Sequence, residues 1–188
     1  SWLDVAKAEY DHEKVEGVKA VYRVLAVFAF IPIFWALWDQ NLAEWVLQAK
    51  KLDLNTGLGY TFLPEQVQVL NPLFLVSFIP VFTYVIYPFF EKLGIKTTPL
   101  RRLGAGFLLT AVSFVIISLI QTSIDAGGQP SVWWQILAYL VLAWGEILVS
   151  ITGLEYAYTN SPKSMKSTMT AIWYSAVSIG NLGVALVN

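Results

Sequence analysis

The stretch AYLVLAWGEILVS, residues 138–150, sets one carboxylate side chain, Glu146, among uncharged neighbours. The apolar run around it, from Trp133 to Ala157, exceeds the ~20 residues a helix needs to cross a bilayer. At about 1.5 Å of rise per residue, Glu146 lies roughly halfway along the span, near the membrane midplane. An acid at that depth costs roughly 2.5–3.5 kcal/mol on insertion scales, so chains that keep one use it for a pathway, a proton relay or a binding site. Glu146 is therefore read as a proton-titrating or substrate-binding carboxylate facing a wet cavity. The plainer alternative is an interhelical hydrogen-bonding residue. Ser150, four residues on, shares its helical face. Its alternative is a hydroxyl bonded back to its own turn. Gly145 lets another backbone come close.

Four more stretches have the length and apolarity of spans: Val24–Val46, Val67–Phe90, Leu103–Ile120 and Ser167–Val187. Each carries Pro, Gly or polar residues, as spans packed against other helices do. The fold class is thus an all-α polytopic membrane protein with about five transmembrane helices. Composition agrees. The chain is 56% hydrophobic, 15% aromatic and 13% charged, with mean hydropathy +0.59, whereas soluble domains carry about 25% charged residues. The excess apolar surface must face lipid. No cysteine is present, and the single histidine, His12, lies in a charged segment, so no metal or other cofactor is expected. Without a basic tract interleaved with aromatics, no nucleic-acid role is assigned.

The basic residues give the orientation. Lys7, Lys14, Lys19, Arg23, Lys92, Lys96, Arg101, Arg102, Lys163 and Lys166 fall on one set of flanks, and only Lys50 and Lys51 on the other. The first set is cytoplasmic. Residues 1–22 read as a cytoplasmic amphipathic connector and 23–188 as a transmembrane bundle. An odd number of spans, stopping in mid-pattern, leads us to expect a piece of a longer protein.

Other polar residues sit within the spans. Asp39, past the middle of the first span, is read as a gating or coupling carboxylate; the alternative is a snorkelling interfacial acid. Trp35 and Trp173 lie away from the interfacial belts where tryptophan concentrates. Each either lines a cavity or packs helices. Asn71 precedes Pro72, and Pro72, Pro80 and Pro88 recur every eight residues, each removing a backbone donor.

Three segments, FWALWDQ (34–40), VLNPLFLVSFIPVFTYVIYP (69–88) and GEILVSITGLEYAYTNSPKSMKS (145–167), resemble the proton-dependent oligopeptide transporter (POT/PTR) family of the major facilitator superfamily. They follow the order of that family's seventh to eleventh helices. The resemblance implies a half-transporter: part of the carboxy-terminal bundle of a fold with two six-helix bundles around a central cavity. It implies symport of di- and tripeptides with protons as coupling ion. Implied partners are the peptide, protons, membrane lipid and the missing amino-terminal bundle. The implied location is the cytoplasmic (inner) membrane of a bacterium. By the same resemblance Glu146 and Asn71 meet the peptide's amino terminus, Trp35, Ser150 and Trp173 line its pocket, and Asp39 serves the outer gate and proton coupling. The family's first-helix signature, with paired glutamates and an arginine, is absent from this sequence. Two rival readings are a related transporter of another small solute such as nitrate, and a non-transporting membrane scaffold. A membrane enzyme has no metal cluster, Ser/His pair or phosphate loop to support it.

Overall fold

The structure is a computed structural model that describes residues 12–161 and 165–187. The first half of the expected connector, with Lys7, lies outside the described residues, as do Lys163 and Asn188. The described chain is helical apart from loops: α1 His12–Phe28, α2 Ile31–Ala49, α3 Pro64–Gln68, α4 Leu70–Val81, α5 Tyr87–Lys92, α6 Pro99–Asp125, α7 Val132–Glu146, α8 Thr152–Asn160 and α9 Lys166–Val187. Two π-helical turns, Phe82–Ile86 and Ile147–Ile151, join α4 to α5 and α7 to α8. A bilayer offers no water to backbone groups, so a spanning segment must bond its own N–H and C=O groups, as a helix does. Five stretches are long and apolar enough to cross: Val15–Ala49, Pro64–Lys92, Pro99–Asp125, Val132–Asn160 and Lys166–Leu186.

Three spans are irregular, and proline accounts for two of them; the third, Val132–Asn160, has a π turn without proline. The expected continuous span Val24–Val46 is two helices, α1 and α2, broken at Ala29–Phe30. Pro32 has no N–H to offer the Phe28 carbonyl. Around it the ladder tightens: Phe30 N–H donates to Val27 O at 3.3 Å and Ile33 N–H to Phe30 O at 3.2 Å. In the second span the π turn lies between Pro80 and Pro88, and Tyr87 N–H reaches back five residues to Phe82 O. A local π adjustment re-satisfies backbone groups that proline disturbs in membrane helices.

The chain divides into two compact units, one of residues 37–152 and one of the remainder. In the first, the end that bears Lys50 is tied by polar bonds across helices. Gln135 Nε2 on α7 donates to Trp45 O at 2.7 Å, Tyr139 Oη to Asn41 O at 3.2 Å, and Gln48 Nε2 to Gln121 Oε1 at 3.0 Å. Trp45, Tyr139, Val132 and Leu142 are buried among them. The loop after α2 is pinned to the start of α7, with Asp53 N–H donating to Pro130 O and Val132 N–H to Asp53 O, both at 2.9 Å. Toward the opposite end, the two π turns pack through Phe82, Ile147 and Leu148, with Trp144 against Phe78 at 5.5 Å between ring centroids. Small residues let α6 and α7 cross closely. A Cβ on Gly145 would lie 2.6 Å from Thr110 Oγ1 and 3.0 Å from Gly106 O.

In the second unit Val24, Ile31, Phe34, Met169 and Trp173 are buried. Gly180 of α9 lies against the Pro32 carbonyl and Trp35 Cβ, leaving no room for a side chain there.

Candidate functional site

Glu146 ends α7, immediately before a π turn, a local irregularity frequent at functional sites. It stands at the midpoint of the span Val132–Asn160 and is 8% exposed. Two helices bring it donors. From α2, Trp38 Nε1 donates to Glu146 Oε2 at 2.8 Å; from α4, Asn71 Nδ2 donates to the same oxygen at 3.1 Å. Asn71 is 3% exposed. Both donors are neutral, and no ion pair involves Glu146 among the described residues.

That arrangement leaves unused acceptor capacity. An ionised carboxylate has about four lone-pair sites on two oxygens. Both hydrogen bonds reach Oε2, and Oε1 receives none among the described residues. A carboxylate that only accepts forces the Asn71 amide to present Nδ2. The amide oxygen, Oδ1, is then buried with no hydrogen-bond partner among the described residues. Two neighbouring side chains thus each offer a free acceptor. A group with several N–H donors and a positive charge satisfies both; an anion satisfies neither.

The other sequence candidates divide between the units. Ser150 lies within the π turn, and its buried Oγ has no partner among the described residues, so it is not bonded back to its own turn. Asp39 follows Trp38 on α2, about 100° further round the helix; it is half-buried and takes no part in the Glu146 bonds. Trp35 and Trp173 belong to the other unit. Trp35 stands edge-to-face on Phe34 at 5.4 Å between centroids, and Trp173 on Phe28 at 5.3 Å. Trp173 also covers Gly153, where a Cβ would meet its ring.

Sequence reasoning missed Trp38. The signal was a stripe: Trp38, Asn41, Trp45 and Gln48 recur at helical spacing. Asn41 and Trp45 meet Tyr139 of α7, at Asn41 O and in a 4.9 Å ring contact, so the stripe faces the helix that carries Glu146.

Five bilayer-length helices and a mid-span carboxylate bonded to neutral donors define an integral membrane protein with a polar site inside the bilayer. Comparison with known proteins narrows the class. The POT family pattern matches residues 3–187. Human solute carrier family 15 member 2 is 38% identical over 156 residues, covering 82% of this chain and 21% of that protein. The solved structure of an auto inhibited POT family peptide transporter superposes with TM-score 0.89 at 38% identity, covering 98% of this chain and 35% of that one. The POT family transporter PepTSo gives TM-score 0.87 at 42% identity, with 97% and 35% covered. The chain belongs to the POT family. It spans about a fifth of the length of the curated relatives it matches.

Proposed function

We propose that the chain forms part of the carboxy-terminal bundle of a proton-coupled symporter of di- and tripeptides in the cytoplasmic membrane. The carrying observation is Glu146, bonded on one oxygen by Trp38 and Asn71 and open on the other. The substrate's ammonium would meet Glu146 Oε1 and Asn71 Oδ1, and its three donors suit two acceptors on adjacent side chains. Trp38 and Asn71 would hold the carboxylate in place between substrates. Ser150, on the same unit as Glu146, would border a peptide side chain. Protonation of Asp39 would release a contact at the outer gate. The facing wall of the cavity would come from the amino-terminal bundle. Family membership supports peptide as the solute class, since the matched structures bear the names of peptide transporters. A site of two acceptors disfavours nitrate, which carries no N–H donor.

The test is uptake of labelled dialanine into proteoliposomes holding the full-length transporter. An inward proton gradient should drive it. Unlabelled dialanine should compete and nitrate should not. Competition by nitrate, or uptake that survives collapse of the gradient, would contradict the reading.

A further inference from the structure

A second cavity lies away from Glu146. The ends of the second and third spans that bear Lys92–Arg102 enclose a cleft of about 500 Å³. Trp144 and Leu148 close its back, Phe82 and Phe90 form one side, and Ala105 and Leu108 the other. None of Trp38, Asn71 or Glu146 lines it. The volume lies within the 300–1,000 Å³ typical of small-ligand sites.

Its surroundings say which way it opens. Leu108 is 66% exposed and heads a row on α6 with Val112, Val115 and Leu119, all exposed. These residues recur at helical spacing on one face, so that face meets hydrocarbon. Tyr84, Val85 and Phe89 are exposed on the second span. The cleft therefore opens sideways into lipid. Its rim is cationic. Residues 91–102 hold Lys92, Lys96, Arg101 and Arg102 against one acid, Glu91, which accepts from Thr97 Oγ1 at 2.6 Å. Arg102 is engaged within the protein: its guanidinium lies 4.0 Å from the Tyr87 ring centroid, and Nη2 donates to Thr97 Oγ1 at 3.3 Å. Lys96 and Arg101 both line the cleft and are exposed, with Arg101 Nη1 donating to Lys96 O at 3.2 Å.

We propose that this cleft is a binding site for an anionic membrane phospholipid. One acyl chain fills the apolar interior, and the phosphate is bound by Lys96 and Arg101 at headgroup depth. Basic pockets between transmembrane helices on the cytoplasmic side suit acidic headgroups. The two halves of the site require the two halves of one molecule. Free phosphate would leave the apolar walls bare, and a zwitterionic lipid would leave the extra cations unneutralised.

The full-length transporter, delipidated in detergent, is titrated with dioleoylphosphatidylglycerol or dioleoylphosphatidylcholine. Bound lipid is counted by native mass spectrometry. The glycerol lipid should bind more tightly than the choline lipid. K96Q/R101Q should weaken it about thirtyfold, the loss of two surface cations, and weaken the choline lipid, whose phosphate is offset by its own ammonium, far less. A105W, which fills the cleft and keeps every charge, should abolish tight binding of the glycerol lipid. Ala105 is exposed, so the substitution leaves the core intact. Inorganic phosphate should not displace the lipid. Equal binding of the two lipids, indifference to either variant, or displacement by phosphate would overturn the proposal.

Discussion

Glu146→Gln is expected to lower proton-driven dipeptide uptake by about two orders of magnitude at subsaturating substrate. The figure follows from removing one partner of a buried charged pair, which costs roughly 2–5 kcal/mol. Glutamine has nearly the shape of glutamate. Its oxygen can still accept from Trp38 Nε1 and Asn71 Nδ2, now at 2.8 and 3.1 Å from Glu146 Oε2. Its NH₂ then occupies the place of Oε1. An acceptor becomes a donor, and an incoming ammonium meets N–H instead of a carboxylate oxygen. The fold should persist, so thermal unfolding in detergent should change little while initial uptake rates collapse. Undiminished uptake would reject the role given to Glu146.

The second large effect is structural. Gly145→Leu should strongly destabilise the protein and reduce uptake with it. A Cβ at 145 would stand 3.0 Å from the Gly106 carbonyl, which is backbone and has no rotamer to yield. Either α6 moves away or α7 rotates, and Glu146 is the next residue. Overpacking typically costs about 1–3 kcal/mol, and leucine adds more volume than a single methyl. Gly104 is the control. A Cβ there meets no heavy atom within 4 Å. Gly104→Ala should be neutral or stabilise by up to about 1 kcal/mol through helix propensity. Melting temperatures in detergent would compare the three proteins. If Gly145→Leu melts with the parent, the close crossing of α6 and α7 is wrong.

Much of the fold was legible because hydrocarbon leaves a chain few choices. Long apolar runs must be helical, and the five spans follow from that constraint alone. Glu146 was legible for the same reason: an acid at mid-span is costly wherever it points. What each helix turns toward its neighbours was harder to read. A span that is apolar all round carries little directional signal, so Trp35 drew notice by depth while Trp38, three residues on, holds the carboxylate. The tie was visible only as the stripe Trp38, Asn41, Trp45 and Gln48. Proline spacing announced an irregular second span, yet not that its form would be a π turn at Phe82–Ile86. The turn at Ile147–Ile151 contains no proline, and nothing in its composition marked it. The Gly145 crossing was half legible: glycine signalled a close backbone, and the structure supplies its identity, α6 at Gly106. Asn71 reached the site through family resemblance, and its side chain donates to Glu146.

The most direct test of Glu146 as counter-charge for a peptide's amino terminus is a two-by-two binding measurement. Dialanine and N-acetyl-dialanine are titrated into the full-length transporter, with Glu146 intact and with Glu146→Gln. Acetylation removes the ammonium and keeps the rest of the peptide, so the cycle isolates the coupling between that group and residue 146. The account predicts that the intact protein prefers the free amine by about a hundredfold, and that the preference shrinks to a few-fold in the variant. An equal preference in both proteins would contradict it.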